Sequence, residues 1–174
     1  INWHEACLSI SGSWLCRSSV KICKLARSLH ELKRKERSAE NMAKIILASH
    51  GGLSKGMKDS VSMIVGDLAK DIETYSLLPG QNPEDFYQEV LKEVKESDEQ
   101  ILILCDIKGG SVHTALSKLA VLDNVMVFSG MNMGLVLDAV MKGLNGKLEL
   151  AEANDLIEAA KDGMTVMNGI TSED

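Results

Sequence analysis

Four short apolar runs, each closed by turn-forming residues and followed by a segment of helical period, constrain this chain more than any other feature. The first, Ile45-Ile46-Leu47-Ala48-Ser49, ends in His50-Gly51-Gly52. Apolar residues then recur at Met57, Val61, Ile64, Val65 and Leu68, the spacing of one helix face. The second run, Ile72 to Leu78, is stopped by Pro79-Gly80. Asn82 can cap the next helix, Pro83 suits its first position, and Glu84 and Asp85 lie at the positive end of its dipole. That helix continues through Phe86, Val90, Leu91 and Val94, with Lys92, Glu93, Lys95 and Glu96 expected on a solvated face. The third run, Ile101 to Cys105, is apolar throughout and closes on Asp106, as expected of a strand covered on both faces. The turn Asp106-Ile107-Lys108-Gly109-Gly110-Ser111 follows, and Val112 to Leu122 is predicted helical. The fourth run, Asn124 to Phe128, leads through Ser129-Gly130-Met131-Asn132 into a helix from Leu135 to Met141. Leu150 to Lys161 is amphipathic and broken at Gly163, and Met164-Thr165-Val166-Met167 is expected to form a short last edge strand. Strands alternating with helices predict an α/β fold. The sheet is expected to be doubly wound and mostly parallel, of order 2-1-3-4, with helices on both faces.

Charge divides the chain. Its net charge of −6 combines a balance of +4 over residues 1–41 with −10 over residues 42–174. Both tryptophans (Trp3, Trp14) and three of the four cysteines (Cys7, Cys16, Cys23) lie in the first part. The change falls just before Met42, after which the first strand begins at once. Residues 1–41 are therefore expected to be a non-native or upstream-derived leader, with native initiation at Met42. Glu36-Arg37-Ser38 can be encoded by a sequence containing a bacterial ribosome-binding site, which fits that expectation. Residues 42–174 are expected to be one domain. The basic run Lys33-Arg34-Lys35-Glu36-Arg37 would suit a nucleic-acid arm, but the acidic body behind it argues against a nucleic-acid function. No apolar run is long enough to span a bilayer. The cysteines supply neither a Cys-x-x-Cys pair nor a disulfide framework, and Cys105 is expected to be a buried thiol in a reducing cytosol.

Three glycine-containing turns stand at carboxyl ends of strands: His50-Gly51-Gly52, Asp106 with Gly109-Gly110-Ser111, and Ser129-Gly130-Met131-Asn132. In a 2-1-3-4 sheet, strands one and three flank the switch point, where ligands bind, so His50 and Asp106 are expected on either side of one crevice. A carboxylate accepting one ring N–H fixes the imidazole tautomer and leaves the other nitrogen as a free nucleophile. Gly109, Gly110 and Ser111 open a helix, where backbone N–H groups and the helix dipole favour an anion. Nucleophile, orienter and anion cradle, with no second acid and no metal set, are what transient phosphorylation of a histidine requires; no cofactor is implied. His113 is read as a surface or packing residue, and Lys55 and Lys108 as solvated lysines. Met57, Met63, Met131, Met133 and Met141 are read as core or interface packing. A nucleotide-binding module is a different class, but the turn after the first strand has neither G-x-G-x-x-G nor the Lys-Ser/Thr of a P-loop.

Residues 42–174 resemble the enzyme IIA domain of the mannose (mannose–fructose–sorbose) family of the bacterial sugar phosphotransferase system. The resemblance is carried by Ser49-His50-Gly51, by Met57 with Ser60-Val61 and Met63-Ile64-Val65-Gly66, and by Pro79-Gly80-Gln81-Asn82-Pro83-Glu84. Leu104-Cys105-Asp106, Gly109-Gly110-Ser111 and Gly130-Met131-Asn132 complete it. It implies a cytoplasmic phosphotransferase in which His50 accepts phosphate from phospho-HPr and passes it to a IIB component for sugar uptake. The phosphorylated nitrogen would be the one remote from Asp106. It also implies a homodimer that exchanges its last strand, and contact with the membrane only indirectly, through IIC and IID components. Ile107-Lys108 stands where familiar members carry an aromatic, a departure that bears on partner or sugar specificity. Alternatives are a phosphocarrier subunit for dihydroxyacetone kinase, with the same fold, and a regulatory module that would still use His50.

Overall fold

A computed structural model describes residues 42–168. The chain divides between Glu40 and Asn41, next to the change in composition. The expected leader, with its tryptophans, three cysteines, His4 and His30, lies outside the described residues.

Four strands form one sheet: β1 (Lys44–His50), β2 (Glu73–Leu77), β3 (Ile101–Cys105) and β4 (Val125–Ser129). All pairings are parallel and the order is β2-β1-β3-β4, as the alternation predicts. The helices are α1 (Leu53–Val65), α2 (Pro83–Glu96), α3 (Ser111–Leu116), α4 (Met133–Gly143) and α5 (Leu150–Asp162). Short 3-10 turns extend α1 over Gly66–Ala69 and α3 over Ser117–Val121, so the helix expected through Leu122 tightens after its sixth residue.

The pleat sorts the central strands onto two cores. Ile45, Leu47, Leu102 and Leu104 pack with Val61 of α1, Val136 and Val140 of α4 and Leu156 of α5. Ile46, Ala48, Ile103 and Cys105 pack on the opposite face with Val90 and Val94 of α2 and Val112 and Leu116 of α3. Successive strand side chains point to opposite faces, so a strand buried on both must be apolar at every position. β3 is the case in point, with all five residues buried. Each fully buried Leu or Ile contributes about 1.5–3 kcal/mol. Tyr75 of β2 stacks on Phe86 of α2, ring centroids 4.1 Å apart, which seats α2 on this second face.

Several expectations are corrected. Residues 164–168 form no strand: Met164, Val166 and Met167 are exposed, and no strand among the described residues pairs with them. The sheet thus ends at β4 among the described residues. On α1, Val61 is buried and Met57 and Val65 partly so, but Ile64 and Leu68 face outward, as do Met63 and Met141 of the methionine set. The buried stripe of α1 is thus narrower than its apolar pattern. Glu93 does not sit on a free solvated face, because it pairs with Lys44 at the start of β1, which also meets Glu73 at 2.8 Å.

One buried polar group fixes the approach to α5. Gln100 lies just before β3, 5% exposed. Its Nε2 donates to the Leu148 carbonyl at 2.8 Å, and its Oε1 accepts the Leu148 N–H at 2.7 Å. Gln100→Leu leaves both buried backbone groups of Leu148 unpaired and is expected to cost about 2–4 kcal/mol. Urea unfolding followed by circular dichroism measures it.

Candidate functional site

The site is built where β1 and β3 end. The sequence runs from the apolar β1 straight into His50-Gly51-Gly52, and Gly51 holds φ +56°, a backbone region open chiefly to glycine. A buried set of hydroxyls secures that bend. Ser49 Oγ accepts the Ser54 N–H at 2.8 Å, doing for α1 what its cap position, Gly52, has no side chain to do. Ser54 Oγ in turn donates to the Tyr75 carbonyl at 2.7 Å and lies 3.0 Å from Ser76 Oγ. These serines stitch β1, the start of α1 and β2 together beneath the imidazole. Ser54 and Ser76 escaped sequence reasoning, since only their depth distinguishes them from surface serines.

Asp106 is the first residue after β3, and its N–H donates to the Ala48 carbonyl of β1 at 3.1 Å. The parallel register therefore sets its side chain beside His50. Asp106 Oδ2 accepts both the His50 backbone N–H and ring Nδ1–H, each at 2.8 Å, while Oδ1 accepts the Ile107 N–H at 2.8 Å. The carboxylate is nearly covered, 10% exposed, whereas the imidazole is 44% exposed. Burial pushes the Asp106 pKa up, but the His50 amide and ring and the Ile107 amide together outweigh it and hold the group below its ordinary value of 3.8. A carboxylate ionised in this way accepts the Nδ1–H hydrogen bond and leaves Nε2 with a lone pair. Ser111 Oγ lies 3.0 Å from that Nε2, so with this tautomer its hydroxyl donates to the open nitrogen.

The expected cradle residues are brought to the site with distinct roles. Gly109 takes φ +79°. Its N–H donates to His113 Nδ1 at 3.3 Å, and the Gly110 N–H donates to the Ile107 carbonyl at 3.3 Å. Both amides thus hold the turn itself, and it is the Ser111 hydroxyl that reaches the imidazole. Gly110 is there for space. A Cβ on it would stand 2.8 Å from Ile107 Cγ2 and 3.0 Å from His50 Cε1. Gly110→Ala must therefore displace the Ile107 side chain, the ring or both. The third turn stays structural: Met131 N–H bonds the Cys105 carbonyl and Asn132 Oδ1 caps α4 through the Leu135 N–H. Cys105 is fully buried beside the site, its pKa pushed up to about 12 by burial and by Asp106, so it is an inert thiol as expected.

Leu53, Leu78 and Ile107 are exposed on the three segments that leave the carboxyl ends of β1, β2 and β3. The half-open imidazole thus emerges among apolar side chains, an arrangement that suits contact with another macromolecule. Among the described residues there is no cluster of three or more metal-ligating side chains, and no helix is long and apolar enough to cross a membrane.

These features define a doubly wound α/β protein with a carboxylate-oriented, solvent-open imidazole at its topological switch point. Comparison with known proteins then gives the family. Residues 44–159 match the EIIA-man family model, described as the PTS system fructose IIA component. The chain belongs to this family: it is a sugar-specific IIA component of the mannose/sorbose type of the phosphotransferase system. It is 32% identical over 101 residues to the sorbose-specific EIIA component of Klebsiella pneumoniae, covering 57% of this chain and 73% of that protein. Among solved structures it resembles the mannose/sorbose specific IIA subunit of Enterococcus faecalis, with TM-score 0.62 and 22% identity over 76% of this chain and 99% of that one. It also resembles a PTS IIA protein associated with the fucose utilization operon of Streptococcus pneumoniae, with TM-score 0.60 and 26% identity over 72% and 93% of the two chains.

Proposed function

We propose that this protein is a cytoplasmic phosphoryl carrier. It takes a phosphoryl group from phospho-HPr onto His50 Nε2 and donates it to a IIB component during sugar uptake. The observation that supports the reading best is the pairing of His50 Nδ1 with Asp106 at 2.8 Å while Nε2 faces outward next to Ser111 Oγ. In the transfer, the P–N bond of the donor phosphohistidine breaks as a P–N bond forms to Nε2. The Nδ1 proton stays between the ring and Asp106, whose carboxylate stabilises the positive charge that phosphorylation places on the imidazole. The Ser111 hydroxyl turns from Nε2 to a phosphoryl oxygen.

The sugar-transport reading is favoured over a carrier for dihydroxyacetone kinase because the relatives reported above are named for sorbose, for mannose and sorbose, and for fucose utilization. In this reading the protein works as a homodimer. The exposed apolar residues Met164, Val166 and Met167 supply the strand that would pair with a second copy.

The test is reconstitution. With phosphoenolpyruvate, enzyme I and HPr, the protein is expected to gain the mass of one phosphoryl group, acid-labile and base-stable as a phosphohistidine. A purified IIB partner should then discharge it. No gain of mass with active HPr overturns the reading. Retention of phosphate with IIB, but discharge with the dihydroxyacetone kinase subunits, moves the protein to the other branch.

A further inference from the structure

His113 lies on the first turn of α3, half-buried, and does not touch His50 through any described hydrogen bond. Its ring nevertheless closes the loop that carries Ser111. The Gly109 N–H donates to His113 Nδ1 at 3.3 Å, and Thr114 N–H holds the Gly110 carbonyl at 2.8 Å, so the first turn of α3 folds back on the two glycines from both sides. Gly109 is the residue at φ +79°, where the chain reverses into the helix. The conformation of that residue sets where Gly110 presses on the imidazole and where Ser111 Oγ meets Nε2. An imidazole accepts at Nδ1 only while that nitrogen is unprotonated; once protonated, it faces the Gly109 amide as a second donor.

The geometry points to His113 as a positioning residue that latches the Lys108–Ser111 turn. The latch holds Ser111 on His50 Nε2 when the ring is neutral and releases it when the ring is protonated. This rests on His50 being the phosphoryl acceptor. The elements packed against α3 are α2, β1, β3 and the Ser117–Val121 turn. Among their charged groups, His50 and Asp106 are paired with each other, as are Glu84 of α2 and Lys118 of the 3-10 turn, while Asp85 and Glu89 of α2 stand near Tyr75 on this face of the sheet. Lys108, in the turn itself, is exposed. His50 also stops accepting phosphate when protonated, so two protonations shape the acid side of the rate.

His113→Asn separates them, because its Oδ1 can accept the Gly109 N–H at any pH. The ratio of its phosphoryl-uptake rate to that of the unmodified protein cancels the titration of His50 itself. We expect that ratio to rise severalfold as pH falls from about 8 to about 5.5. His113→Ala, which keeps no acceptor, should be slower at the alkaline end, by about fivefold for one lost hydrogen bond. In nitrogen–proton spectra of the unmodified protein, the Gly109 amide should shift with the His113 ring resonances; in His113→Asn it should not. A flat rate ratio, or a Gly109 amide indifferent to His113, overturns the latch. If instead the unmodified protein takes up no phosphate while the amide still follows His113, the carrier function fails and the latch is a structural feature without that role.

Discussion

Replacing His50 with glutamine is expected to abolish phosphoryl uptake from phospho-HPr while leaving the fold standing. A glutamine amide retains hydrogen-bonding capacity toward Asp106 but has no basic nitrogen lone pair to attack phosphorus. The imidazole is 44% exposed, and the Asp106 carboxylate keeps the backbone N–H groups of residues 50 and 107 as donors. Loss of one hydrogen bond should therefore change stability by only about 1 kcal/mol. Intact mass after incubation with the phosphorylated donor reads the first effect and thermal unfolding the second. Full uptake by the His50→Gln variant would put the phosphate on another group. Among the described residues, His113 is the remaining imidazole.

Asp106→Asn is expected to have the next largest effect. Asp106 accepts three N–H groups, two of them on Oδ2. An asparagine has one acceptor oxygen and must turn its NH2 toward at least one of those donors. Where the NH2 faces the ring, the imidazole changes tautomer, accepting the amide proton at Nδ1 and carrying its own proton on Nε2. The nucleophilic nitrogen is then blocked. A wrong tautomer imposed by the same change in a serine–histidine–aspartate triad lowers turnover by about 10⁴, and a loss on the order of 10³–10⁴-fold in phosphoryl uptake is expected here. Initial rates with phospho-HPr in excess measure it. A loss of less than tenfold would mean that the carboxylate does not set the tautomer.

The same residue marks the acid stability of the protein. Its folded pKa lies below the unfolded one, so its contribution is complete above the ordinary carboxylate range. It is lost as pH falls through that range to the folded value. Urea midpoints taken from pH 6 downward should therefore fall less steeply for Asp106→Asn than for the unmodified protein, the two curves converging at the acid end.

Much of this site is legible in one dimension because parallel α/β topology leaves few choices. Once β1 and β3 are recognised as the strands flanking the switch point, the residues that end them, His50 and Asp106, must be neighbours. The apolar runs of β1 and β3 identify the centre of the sheet, since only there are both faces of a strand covered. Elements whose environment is set by a distant partner were not legible. Glu93 belongs to a charged helix face until Lys44, 49 residues earlier in the chain, arrives beside it. Ile64 and Leu68 obey the helical period yet remain exposed, because the period states which residues share a face and not how wide a neighbour covers it. Met164 to Met167 has the composition of a strand but pairs with none among the described residues.

The residue order by itself determined the alternating α/β plan, the strand order and the meeting of an imidazole with a carboxylate, because local period and the rules of parallel connection act on the chain alone. Tertiary structure alone decided that Ser111 Oγ caps Nε2, that Gly110 has no room for a side chain, that Ser54 and Ser76 brace the bend from below and that His113 holds the Gly109 amide. Each of those depends on contact distances of about 3 Å, hydrogen-bonded or steric. Strand register and helix placement set them, and a list of residues leaves both open.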